Sequence, residues 1–269
     1  MRALIHILLV TTSLYSLAVF AHPGDHSSIA ELNALLTITP AEPSLLIARG
    51  ATYTRTGEWE KAEQDFLLAK RLDDDINIEF ELARLYFHRG EFARSLIHID
   101  RYIETNPHYA PALLLRARTA QATHQTDLAL KSWADYLKMV PLAHPGDYLA
   151  AARLHASTGR DGLATAIGIL DAGMNNIGLI AQLQSFAMQL ELDRNEPIRA
   201  YQRWRSLENQ LGDTAKYKIT LAHLLMLTNR FGEARQVAEE ARVQLSRSRK
   251  TPARESLNLK LSDIEKQLG

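Results

Sequence analysis

The sequence predicts an all-α fold, a solenoid of paired helices, on three observations. The phrase TGEWEKAEQDF at 56–66 is answered by RGEFARSLIHI at 89–99, with Gly57 and Gly90 33 residues apart. A small residue recurs at Gly50, Ala83, Ala117, Ala152, Ala187 and Ala222, in steps of 33 to 35, and a second set follows at Ala62, Ser95, Ala129, Ala164, Ala200 and Ala234. Large side chains stand four positions after members of the second set, at Phe66, Ile99, Trp133 and Trp204. Two helices that cross closely need small side chains at the crossing and bulky ones beside it, so each period encodes one helix-turn-helix unit. Pro40, Pro43, Pro107, Pro111 and Pro141 punctuate the joins, where helices are expected to stop.

The elements follow in chain order. Residues 1–21, MRALIHILLVTTSLYSLAVFA, place Arg2 before an apolar run that ends in small residues, the pattern of a signal peptide cleaved after Ala21. An uncleaved anchor is the alternative reading of the same run, which approaches the roughly 20 residues that span a bilayer. Residues 22–42 then hold a short leader, HPGDH, and a half-repeat helix in SSIAELNALLTITP (27–40), with Leu32 and Leu35 inward and Ser27 or Ser28 as N-cap. About six units occupy 43–248. The fourth, 145–178, has Gly168 in the large slot and gathers Gly159, Gly162, Gly168, Gly173 and Gly178, which predicts the least stable joint. It reads either as a degenerate unit held by its neighbours or as a hinge between two three-repeat halves. In the fifth unit the turn from Asp193 to Pro197 runs one residue longer than the others. The last segment, 249–269, puts Leu257, Leu261 and Ile264 on one helical face, as a capping helix should.

These residues resemble the tetratricopeptide repeat family, whose unit of about 34 residues follows the pattern W-x2-L-G-x2-Y, A-x3-F, P. The match is clearest in ARGATYTRTGEWEKAEQDFLLAKRLDDD (48–75), through Gly50, Tyr53, Gly57, Ala62, Phe66 and Ala69. In 76–109 it runs through Leu82, Ala83, Tyr86, Gly90, Ser95 and Pro107. The resemblance implies a right-handed α-α superhelix whose first helices line a concave groove that binds a protein or peptide.

Composition narrows the function. Lys plus Arg and Asp plus Glu both number 31, so no bulk charge points to nucleic acid or to an anionic membrane once the signal is removed. The chain has no cysteine, hence no disulfide, thiolate nucleophile or acylated lipobox, and no Asn-x-Ser/Thr acceptor, which fits a periplasmic or secreted protein of a bacterial envelope. The residue after the first small position is Arg84, Arg118 and Arg153 in units two to four, with Phe87 and His88 a turn beyond the first. On one reading these form a cationic ladder for an acidic peptide or a free C-terminal carboxylate. On the other they pair with carboxylates on adjacent helices, such as Glu81 or Asp147, and hold the stack together. The carboxylate-clamp members of the family use lysine and asparagine at such positions, so their ligand does not carry over.

Cleavage after Ala21 exposes His22, and with Asp25 and His26 this leader offers at most a weak copper or nickel site. HPGD recurs at 144–147 ahead of a helix, which favours turn chemistry for both copies. The remaining histidines show no HExxH spacing, Trp59, Trp133 and Trp204 fall in packing slots, and no nucleophile elbow or phosphate loop is present. The sequence therefore predicts a non-enzymatic scaffold or assembly factor of the cell envelope with no cofactor. The alternatives are a metal-handling accessory protein acting through HPGDH and a helical-repeat envelope hydrolase.

Overall fold

A computed structural model describes residues 29–247 and 249–269. The signal segment, the HPGDH leader with His22, Asp25 and His26, and the Ser27 and Ser28 caps lie outside the described residues. Every regular element among the described residues is a helix: α1 Ile29–Ile38, α2 Pro43–Thr56, α3 Trp59–Leu72, α4 Asn77–His88, α5 Phe92–Thr105, α6 Ala110–Ala122, α7 Thr126–Met139, α8 Pro145–Ser157, α9 Arg160–Ile177, α10 Ala181–Asp193, α11 Pro197–Arg205, α12 Glu208–Leu211, α13 Ala215–Leu227, α14 Phe231–Arg247 and α15 Pro252–Leu268. The fold is an all-α helical-repeat solenoid. It divides into two compact units, one ending at Arg89 and the other running Gly90–Gly269.

In the first unit α2 packs along α3, with α1 and α4 on either side. The crossing is tight because Gly50 has no side chain: a Cβ there would stand 2.7 Å from Cε1 of Phe66. Phe66, Ala62 and Ala69 are fully buried and share one core with Leu46, Ile78, Leu82 and Tyr86. Burying such a phenylalanine stabilises by about 1.5–3 kcal/mol relative to leaving it in water. In α1 the inward pair is Leu32 and Leu36, and Leu35 is 46% exposed, so the seam runs i, i+4 where the sequence reading had i, i+3. Pro43 opens α2 and Pro111 lies in the first turn of α6. Both begin helices, where a missing N–H costs nothing, in place of ending them.

In the second unit α6 pairs with α7, α8 with α9, α10 with α11 and α13 with α14, while α15 closes on α13 and α14. Leu261, Ile264 and Leu268 of α15 are buried in that closing contact, and Leu257 is half-buried. Trp133 and Trp204 fill the expected core slots, with indole N–H groups donating to Gln121 Oε1 at 3.3 Å and to the Tyr217 carbonyl at 3.0 Å. Trp59, the first residue of α3, is only half-buried.

The echoed glycine has a backbone cause. Each inner turn of a helix-turn-helix unit holds one residue of positive φ, at Gly57 (81°), Gly90 (80°), His124 (57°), Gly159 (106°), Asn195 (62°) and Asn229 (60°), and Gly178 (88°) adds one at the join between α9 and α10. At Gly57 the left-handed residue lets its N–H return to the Tyr53 carbonyl and closes α2. Asn and His are among the non-glycine residues that tolerate this region best, which is why later units can drop glycine.

The fourth unit departs from the sequence register. The small residue on its second helix is Ala166, not Ala164, and the large one is Leu170, not Gly168: Ala166 and Leu170 are fully buried, while Ala164 and Gly168 are exposed. Five residues separate the turn residue from the small one elsewhere, as from Gly57 to Ala62 or Asn195 to Ala200, but seven do from Gly159 to Ala166. The slip traces to Gly159, whose φ 106° and ψ −167° form a turn available almost only to glycine. Gly162 and Gly173 are close-approach positions: a Cβ would stand 1.9 Å from the His155 carbonyl oxygen and 2.8 Å from Tyr148 Cγ respectively. Three of the glycines that suggested a weak joint are thus a turn and two crossings.

Candidate functional site

Arg84, Phe87 and His88 belong to the unit that ends at Arg89. Arg84 projects from α4 with its side chain about a third exposed, and its Nη1 donates to both oxygens of Glu81 at 3.0 and 3.1 Å. Glu81 lies one turn back on the same helix, not on an adjacent one as expected from the repeat, and is almost fully buried. Burial pushes its carboxyl pKa up and the Arg84 charge pulls it back. The guanidinium also stands 5.8 Å from the Phe80 ring centre. Phe87 and His88 meet edge to face with centroids 5.9 Å apart, and burial followed by the Arg84 charge lowers the His88 pKa.

Arg118 and Arg153 belong to the second unit. Arg118 on α6 donates to Asp147 Oδ1 at 3.0 Å, and the other oxygen of Asp147 accepts from the Tyr136 hydroxyl at 3.0 Å. One buried carboxylate in the first turn of α8, where the helix dipole favours negative charge, thereby joins α6, α7 and α8. Burial, reinforced by the bond to Asp147, raises the Tyr136 phenol to about 12. Half of the Arg118 side chain nevertheless remains in solvent. Arg153 on α8 is exposed, sits 5.7 Å from the Phe186 ring centre on α10, and makes no ion pair among the described residues. A cation over an aromatic face at an exposed position contributes about 0.5–1 kcal/mol and leaves the charge available.

The sequence reading named the acidic partners of Arg84 and Arg118 but missed a second set of arginines. Arg49 grips Asp65 through Nε at 2.8 Å and Nη2 at 2.7 Å, and Arg116 holds Ser132 through Nε at 2.9 Å. Both lie one residue before a first-helix crossing position, and each partner lies one residue before a second-helix large one, so the pairing was readable from the period. Arg203 on α11 is less regular: it bonds Asp171 of α9 at 2.7 and 2.9 Å and Glu191 of α10 at 3.1 Å. The buried carboxylates Asp65, Glu79, Glu81, Asp147 and Glu191 therefore each meet a cation, Lys70 serving Glu79. Among the described residues no cluster of three or more His, Cys, Asp or Glu side chains could hold a metal, and no helix is long and apolar enough to cross a membrane.

No protein-family model matches the sequence, and neither does any curated protein. Solved structures do match. A tetratricopeptide repeat protein from Parabacteroides merdae ATCC 43184 aligns over 87% of this chain and 91% of its own at 17% identity, with a TM-score of 0.50. YrrB, a TPR protein with an unusual peptide-binding site, aligns over 69% and 95% at 11% identity with a TM-score of 0.57. MamA aligns over 66% and 98% at 12% identity with a TM-score of 0.53. The likeness is one of fold: the chain has the fold of the tetratricopeptide repeat proteins.

Proposed function

We propose that this chain is a non-catalytic scaffold of the cell envelope that binds a protein or peptide on the face presented by its first helices. It selects segments with an acidic side chain or a free C-terminal carboxylate. The observation that carries this reading is Arg153: exposed, 5.7 Å from the Phe186 ring centre, and without a carboxylate of its own among the described residues. A carboxylate arriving there forms a charge-assisted bond that contributes about 1.5–3 kcal/mol when sheltered and less in open solvent. Arg118 presents a second, half-exposed guanidinium in the same unit. The fold shared with YrrB, which has a peptide-binding site, supports a peptide ligand. A packed helical scaffold is already formed before binding, so the ligand bears most of the ordering cost. The cation at every buried carboxylate supports a structural role for those acids over a catalytic one. The export part of the reading rests on residues 1–21 and predicts His22 as the first residue of protein recovered from the envelope.

The test is affinity capture from an envelope extract with mature protein, with Arg153→Ala, and with the Arg84, Arg118 and Arg153 triple alanine variant, each checked for folding by circular dichroism. Arg153→Ala is the cleanest arm, because removing Arg84 or Arg118 also strips a partner from a buried carboxylate. A protein held by the parent and released by Arg153→Ala supports the reading. Equal capture by all three moves binding off this face.

A further inference from the structure

A second feature of the Gly90–Gly269 unit has no place in the reading above. Residues 194–269 carry 15 Lys and Arg against 9 Asp and Glu, while residues 1–193 carry 16 against 22, so an electrically neutral chain is strongly polarised along its length. Within that basic stretch, α13 and α14 border an open cleft of about 700 Å³. Toward one end Lys218 and Glu240 form an ion pair at 2.9 Å, and Glu239 there is matched by Arg242 at 3.7 Å. At the other end Arg247, which lines the cleft, and the neighbouring Arg249 and Lys250 are exposed and make no ion pair among the described residues. Between the ends lie Val243, 40% exposed, and Gln244. Gln244 is half-buried, and its amide donates to the Asp213 carbonyl.

These features specify a ligand. From Gln236 to Arg247 the cleft follows α14 for about 16 Å at 1.5 Å per residue, which matches roughly five residues of extended chain. We propose that the α13–α14 cleft is a second binding site, for an extended peptide segment with an apolar side chain over Val243 and an acidic side chain at Arg247. Arg84, Arg118 and Arg153 do not line this cleft.

The probe is a fluorescein-labelled hexapeptide of alternating leucine and glutamate, titrated by anisotropy at low salt against the full mature chain, with the leucine–glutamine hexapeptide as control. Val243 and Arg247 are exposed, so Val243→Asp and Arg247→Glu leave the core intact. The expected result is saturable binding of the acidic peptide, roughly tenfold weaker binding by each of these variants, unchanged binding by Arg153→Ala, and little binding of the control. Equal affinity for parent and Arg247→Glu, equal affinity for the two peptides, or no saturation up to about 1 mM would overturn the site. Loss in Arg153→Ala with none in Arg247→Glu would place the peptide on the first-helix face and refute this cleft while leaving the scaffold reading intact.

Discussion

Alanine at three glycines of α9 should change stability in opposite directions. Inside a helix, alanine is favoured over glycine by about 1 kcal/mol. At Gly168 nothing lies within 4 Å of the position a Cβ would take, so Gly168→Ala should gain most of that amount. At Gly173 the new methyl meets Tyr148 Cγ at 2.8 Å and Cδ1 at 2.9 Å. That ring cannot turn aside freely, because its hydroxyl donates to the Pro141 carbonyl at 2.7 Å and accepts from Asn176 at 3.2 Å. Overpacking of this kind costs about 1–3 kcal/mol, so Gly173→Ala should lose up to about 2 kcal/mol net. At Gly162 the obstacle is the His155 carbonyl oxygen itself, at 1.9 Å, with Thr158 Oγ1 at 2.4 Å. Backbone cannot rotate out of the way, so α8 and α9 must part, and the cost should exceed the top of that range. Repeat arrays need not unfold in one step, so urea unfolding followed by circular dichroism should be paired with amide exchange over α8 and α9. The expected order of stability is Gly168→Ala, parent, Gly173→Ala, Gly162→Ala. A uniform gain in all three would mean that neither glycine is a crossing, and the two-residue slip in this unit would be wrong.

Further outcomes follow from the polar contacts and turns. Glu191, 2% exposed, holds Arg203 at 3.1 Å and Arg194 at 3.4 Å, so Glu191→Ala should cost about 3 kcal/mol in urea unfolding; a change under about 0.5 kcal/mol, the size of a surface substitution, would show the pair to be solvated. Tyr136 keeps its proton in the folded state up to about 12, whereas an unfolded tyrosine releases it near the ordinary value of 10. The native state then binds more protons across that window, so its contribution is complete below pH 10 and is lost as pH rises toward 12. Tyr136→Phe should cost about 1 kcal/mol at pH 8 and lose stability less steeply in alkali than the parent, read by denaturation at both pH values; matching alkaline slopes would contradict the buried bond to Asp147. His124 holds φ 57°, so His124→Gly should raise stability by up to about 1 kcal/mol, and a loss would mean that its side chain makes a contact the turn depends on.

The period and most core positions were legible in the sequence because each rests on a residue type that packing demands, whereas the fifth inner turn is not longer: 194–196 is three residues, as are 89–91, 123–125 and 228–230. Gly50 faces Phe66, and no other residue fits so close to that ring. The slip in the fourth unit was hidden because Ala164 and Ala166 are the same residue, and only burial separates them. Leu35 and Leu36 hid the seam of α1 in the same way. For the candidate site, Glu81 and Asp147 could be proposed as partners because the repeat places them near Arg84 and Arg118. The Arg203 network could not, since its carboxylates lie 32 and 12 residues away on two different helices, at spacings no period fixes.

The arginines sort into two kinds by what surrounds them. Arg49, Arg84, Arg118 and Arg203 each face a carboxylate that the core has already removed from water, and splitting such a pair is far more costly than forming it is favourable. Arg49, Arg118 and Arg203 thereby fix which helix lies against which, within each unit, while the Arg84 bond to Glu81 stays within α4, and a ligand could recruit any of them only by competing with its carboxylate. Arg153 and Arg247 face no carboxylate among the described residues and stand beside exposed or half-buried apolar side chains, Phe186 and Val243. Charge left over after the scaffold is satisfied, next to apolar surface, is the combination an acidic peptide with an apolar anchor can use. The three equivalent arginines of the repeat are thus unequal in function: two are committed to the fold, and the third is the one whose loss should separate binding from stability.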